Sequence, residues 1–146
     1  MTTITTARAT GSATPEAVFA VWADMPAWPQ WNSDTAWVRL DGPCREGATG
    51  RLKPEGGPAV PFTVTRWEPG RRFTDVSRLW GARLTFDHTV ATGPEGTTVT
   101  VSVDLAGPLA PLWRAVLGKG LVASAPKDLA ALLARATEVD AATLAG

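Results

Sequence analysis

Between Val60 and Leu105 the chain alternates apolar and polar residues in four successive runs, Val60 to Glu68, Arg72 to Trp80, Arg83 to Ala91 and Thr97 to Leu105. Turn residues separate the runs, at Pro69-Gly70, Gly81-Ala82 and Gly93-Pro94-Glu95-Gly96. Successive side chains on a strand point to opposite faces of a sheet, so this pattern specifies an antiparallel meander with one dry and one wet face. Upstream, Thr3 to Thr10, Trp37 to Leu40 and Gly50 to Lys53 read as three further, more polar strands. Thr14-Pro15-Glu16 carries the signals of a helix start, and Val18, Phe19 and Trp22 form one apolar face of a helix from about Pro15 to Ala23. Two prolines and two tryptophans limit Asp24 to Asn32 to a short second helix or turn. The last forty residues carry a helical apolar stripe from Leu109 to Ala136, which Gly118, Gly120 and Pro126 are expected to kink or thin. The fold class is therefore α+β: seven antiparallel strands, two short helices between strands 1 and 2, and a long C-terminal helix. A chain of 146 residues is expected to make one domain, 1–146, with a sizeable core.

The register of the meander places the single histidine. His88 shares a strand face with Leu84, Phe86 and Val90, and the turn after Ala91 sets it beside Val101 and sets Val90 beside Val99. A two-residue hairpin loop at Gly81-Ala82 puts Asp75 opposite His88 and Ser77 opposite Phe86. The turn at Pro69-Gly70 then puts Arg66 beside Phe73, Val64 beside Asp75 and Phe62 beside Ser77. One interior face would carry Phe62, Val64, Phe73, Phe86 and Val101 around four polar members, Arg66, Asp75, Ser77 and His88. Unpartnered polar groups in an apolar setting cost roughly 1–3 kcal/mol each, so the four must bond one another, water or a ligand. Two readings stay open. The cluster is either a satisfied core network, or a carboxylate raising the basicity of an imidazole that lines a cavity and moves protons near neutral pH. Trp28 and Trp31, three residues apart, either plug the core or line the same cavity.

Composition removes other chemistries. With one His, one Cys and no Tyr, a His- or Cys-rich metal site, a disulfide framework and a Tyr general acid are all excluded. Fourteen acids balance fourteen bases without a basic stripe, so nothing points to nucleic acid. No apolar run approaches the roughly 20 residues of a membrane span, no secretory signal opens the chain, and cytoplasmic residence is the expectation. Cys44 reads as a loop thiol. Ser77 lies near His88 but outside any nucleophile-elbow sequence, which argues against a hydrolase triad.

The element order, with Trp28-Pro29-Gln30-Trp31-Asn32, Trp67-Glu68-Pro69-Gly70-Arg71-Arg72-Phe73, Phe86-Asp87-His88 and Gly107-Pro108-Leu109, resembles the SRPBCC superfamily and within it the polyketide cyclase/dehydrase branch. The resemblance covers essentially the whole chain. It implies a START-like helix-grip fold, a curved sheet wrapped around the long helix with a hydrophobic cavity between them. Members bind lipids, sterols, polyketides or hormones, and some cyclise, aromatise or dehydrate polyketides without metal or organic cofactor; others are carriers. The expectation is a small hydrophobic ligand, such as a polyketide or another carbonyl-bearing metabolite, bound by a monomer or homodimer with no cofactor. His88, Asp75 and Arg66 are the candidate catalytic residues. Trp28, Trp31, Phe62, Val64, Phe73, Ser77, Phe86, Val101, Trp113 and Leu117 are the candidate ligand-binding residues. A non-catalytic binding or transport module is the alternative.

Overall fold

A computed structural model describes residues 2–145. The strands are β1 (Thr2–Gly11), β2 (Thr35–Leu40), β3 (Thr49–Pro54), β4 (Val60–Glu68), β5 (Arg72–Leu79), β6 (Ala82–Gly93) and β7 (Gly96–Ala106), all antiparallel in the order β1-β7-β6-β5-β4-β3-β2. Helix α1 (Pro15–Ala23) and a 3-10 helix, Met25–Gln30, connect β1 to β2, and α2 (Ala110–Ala145) closes the chain. The sheet curves into a half-barrel around α2, as expected for a helix-grip fold.

Local signals account for the elements. The Thr14 hydroxyl accepts a hydrogen bond from the Ala17 amide at 3.1 Å, and Pro15 opens α1 where a missing N–H costs nothing. Asp140, far along α2, accepts both the Thr14 amide at 2.7 Å and the Thr14 hydroxyl at 2.8 Å, fastening the start of α1 to the end of the long helix. Helix α2 runs unbroken through Gly118, Gly120 and Pro126. Its C-terminal half buries Leu129, Leu132, Leu133 and Ala136, whereas its first three turns bury no residue.

Register follows the alternation with two departures. Val90 pairs with Val99 and His88 with Val101, as the pattern requires. The β5–β6 hairpin turns at Trp80-Gly81, one residue earlier than expected, because φ +70° falls on Gly81 and Leu109 occupies the space that a Cβ there would need. The pairing consequently slips by two: Phe73 lies opposite His88, and Asp75 opposite Phe86. An even slip keeps every face. In β4, Val64 pairs with Asp75 as expected, but a bulge between Val64 and Arg66 turns the rest of the strand over. Beyond Val64, which bonds the end of the β3 loop at Ala48, the strand has no partner on that side among the described residues. The bulge sends Arg66 outward, half-exposed beside Glu68 at 3.6 Å, and brings Trp67 in against Phe19 and Phe73. Burying an indole among aromatics is favourable, whereas burying an unpaired guanidinium is not.

Candidate functional site

A cavity of about 340 Å³ lies between the inner face of the sheet and α2, within the range of pockets that hold a small molecule. One wall is the stripe Trp113, Leu117, Leu121, Ser124 and Asp128 along α2; the other is β5 to β7, presenting Asp75, Ser77, Phe86, His88 and Val101. Trp22, Trp28, Trp31, Asn32, Asp34, Pro54 and Pro58 also line it.

Of the residues expected from sequence, Trp28, Trp31, Ser77, Phe86, Val101, Trp113 and Leu117 line this cavity, and so do His88 and Asp75. Phe62, Val64 and Phe73 do not; they are buried in the packed core behind it. Phe73 is covered by the His88 ring, stacked at 3.9 Å between centroids, and by Trp22 and Trp67 edge-on or tilted beyond it. Arg66 is outside the fold's interior altogether, removed by the bulge. The expected Arg66 role at the cavity is therefore withdrawn. Asp34 and Asp128 were missed. Asp128 continues the α2 stripe at helical spacing from Leu121 and Ser124 and was legible as a cavity-facing carboxylate. Asp34 sits in the loop before β2, where no periodicity marks its direction.

The polar pair departs from its expected electrostatics. The His88 Nδ1 lies 3.7 Å from Asp75 Oδ1, beyond hydrogen-bond reach, and 3.3 Å from the Phe73 carbonyl oxygen, to which it donates. That bond assigns the proton to Nδ1 and leaves Nε2 as an acceptor. Burial drives the imidazole pKa down to about 4, against the smaller upward pulls of the Phe73 carbonyl and Asp87. Burial likewise pushes the Asp75 carboxyl up to about 7. Asp75 thus does not raise the basicity of His88; desolvation brings the carboxyl, not the imidazole, to neutral pH. Asp75 Oδ1 is buried and has no hydrogen-bond partner. Cys44 is half-buried, and desolvation followed by the nearby Asp75 lifts its thiol to about 11, as befits an unreactive loop thiol.

A family model described as polyketide cyclase / dehydrase and lipid transport matches residues 1–138. The chain belongs to that family. Membership of the polyketide cyclase / dehydrase and lipid transport family carries a hydrophobic ligand-binding or cyclase role. No curated protein sequence matches this member. Among solved structures, the di-domain ARO/CYC StfQ from the steffimycin biosynthetic pathway superposes with a TM-score of 0.76 at 12% identity, over 94% of this chain and 52% of that one. A START superfamily protein from Mycobacterium smegmatis gives 0.69 at 18% identity, over 92% and 97% of the two chains. DynU16, from the dynemicin biosynthetic locus, gives 0.66 at 22% identity, over 88% and 45%. At such identities the family's shared property is the fold. Among the described residues no helix is long and apolar enough to cross a membrane.

Proposed function

We propose that this protein binds a small, carbonyl-bearing hydrophobic metabolite in the cavity and catalyses its cofactor-free cyclisation, dehydration or isomerisation, with Asp75 as the proton carrier. The observation that carries this reading is the buried Asp75 side chain, which lines the cavity, has one oxygen without a hydrogen-bond partner and is pushed by burial to a pKa of about 7. A general acid or base works best with a pKa near the working pH. As a carboxylate, Asp75 removes a proton from the carbon beside a ligand carbonyl; as the acid, it returns that proton to the enolate oxygen. The enol carbon can then attack a second carbonyl of the same ligand, closing the ring through the new carbon–carbon bond while the enol proton passes by way of Asp75 to the new alkoxide; loss of that hydroxyl with a neighbouring hydrogen as water gives the dehydrated ring. His88 Nε2 accepts a ligand hydroxyl, and Ser77, paired with Leu84, offers its own hydroxyl farther along the cavity wall.

A second reading has its own support. The His88 ring is stacked on Phe73 and its Nδ1 proton is already engaged, the posture of a packing residue. On that reading the protein is a carrier whose polar cluster only orients cargo. Native mass spectrometry with a panel of polyketide-like and lipid ligands, followed by product analysis, separates the two. Catalysis predicts products that fall roughly 100-fold or more in rate with Asp75→Asn, ligand binding being retained. Bound ligand returned unchanged, or turnover indifferent to Asp75→Asn, leaves the carrier.

A further inference from the structure

Four large apolar side chains stand exposed among the described residues, Trp80, Leu112, Val116 and Val122, with Trp80 79% and Val116 64% open to solvent. Leu112, Val116 and Val122 lie on the first half of α2, and Trp80 is at the tip of the β5–β6 hairpin. That tip is bonded to the start of the helix: the Gly81 carbonyl accepts the Leu109 amide at 2.9 Å, and the Trp80 carbonyl accepts the Trp113 indole N–H at 2.7 Å. Along the helix, Leu112, Val116, Lys119 and Ala123 recur at three- and four-residue spacing and share one face, while Trp113, Leu117 and Leu121 share the next and line the cavity. A helix apolar on its wet side as well as on its dry side is ordinarily covered on both.

The charges at this end have one sign. From Leu105 to Pro126 the only ionisable side chains are Arg114 and Lys119, and the Trp80 hairpin adds Arg78 opposite Arg83. None of these four cations is in an ion pair among the described residues. Like charges directly across a hairpin repel, and an anion brought to them removes that penalty. A second copy of the chain is a poor cover, since a twofold contact would set Lys119 against its own equivalent. An acidic protein fits the charge but not the rest. From Ala110 to Ala123 only the two cations and the already engaged Trp113 indole have a side-chain hydrogen-bonding group, whereas protein interfaces carry about one hydrogen bond per 100–200 Å². A bilayer asks for apolar insertion, cations at the headgroups and an indole at the boundary, and this end of the molecule supplies all three.

We propose that the first half of α2 and the Trp80 tip form a docking face for an anionic lipid bilayer, with Leu112, Val116 and Trp80 entering the headgroup region and Lys119 and the flanking arginines meeting lipid phosphates. The helix lies on the membrane and does not cross it. Docking of this face does not depend on what the cavity holds or whether it catalyses.

Co-sedimentation with vesicles of phosphatidylcholine alone, and of phosphatidylcholine with about one-third phosphatidylglycerol, tests this. Binding is expected to be about tenfold or more tighter on the anionic vesicles, since each cation near such a surface contributes about fivefold, and to weaken as salt rises. Leu112→Ser with Val116→Ser, and separately Lys119→Glu, should each weaken it about fivefold or more. All three side chains are exposed, so both variants should keep the parent's melting temperature. No binding, equal binding to the two vesicles, or binding unchanged in both variants overturns the proposal. So does poly-L-glutamate bound as tightly as the anionic vesicles, which would make the face a site for an acidic protein, or self-association that the double serine variant abolishes, which would make it a contact between copies.

Discussion

Asp75 and His88 stand 3.7 Å apart, and burial acts on them in opposite directions. The folded Asp75 holds its proton up to about 7, whereas a carboxyl in its ordinary range near 3.8 has lost it well below that. Its contribution to stability is therefore full below pH 3.8 and is lost as pH rises toward 7. The folded His88 resists protonation down to about 4 against an ordinary 6.5, so its contribution is full above 6.5 and is lost as pH falls toward 4. The two slopes oppose each other across that window, which hides both in the intact protein. Asp75→Asn removes one. The variant's gain in unfolding free energy over the parent should grow from pH 4 to pH 7, reach a few kcal/mol and then level off, as read from denaturant melts at several pH values. A pH-independent difference would contradict a buried, proton-holding Asp75. The interior direction of both residues was legible from alternation alone. Their exact partnering was not, because a hairpin that slips by two residues keeps every face and so leaves the hydrophobic pattern unchanged.

The elements show the same division between what pattern specifies and what packing decides. Strand positions and the long helix follow from period and turn residues, and Thr14-Pro15-Glu16 marked the start of α1 correctly. The bulge in β4 had no signal. Nothing in Val64-Thr65-Arg66-Trp67 says which of the last two goes in, and the choice is made by the aromatic surroundings of Trp67 and the missing β3 partner. Nor does any local pattern pair Thr14 with Asp140, which are 126 residues apart. That contact fastens the C-terminal half of α2, while the N-terminal half borders the cavity and buries no side chain until Ala125. Thr14→Ala removes the cap and the hydroxyl's bond to Asp140, leaving only the backbone amide's bond to that carboxylate. It should cost about 1–2 kcal/mol, and hydrogen exchange should quicken in α1 and the last turns of α2, leaving the exchange of residues 113–121 unchanged. Uniform quickening along α2 would show that the helix responds as one rigid piece.

At the scale of the whole molecule, sheet and helix enclose a space that neither fills. The fold could be read from the order of elements, but a cavity is a shortfall of side-chain volume, and no sequence pattern records volume. Phe62, Val64 and Phe73 looked like its lining and proved to be the packed layer behind it. Leu121 lies on the cavity wall and is only partly buried, so Leu121→Trp has room to project inward. The variant should fold with a similar melting temperature and lose the ligand-induced rise that the parent shows, which for ligand at 100 times its Kd is about 2.7 kcal/mol of added stability. An unchanged rise would place the ligand elsewhere. Trp22, Trp28, Trp31 and Trp113 also border this space, four of the seven tryptophans of a chain without tyrosine. Its ultraviolet emission is thus entirely indole light, with more than half of its sources at the cavity wall. Arrival of a ligand is written into the protein's own colour and brightness, and a conjugated aromatic ligand would draw that light away by energy transfer, so occupancy can be followed in real time without any label.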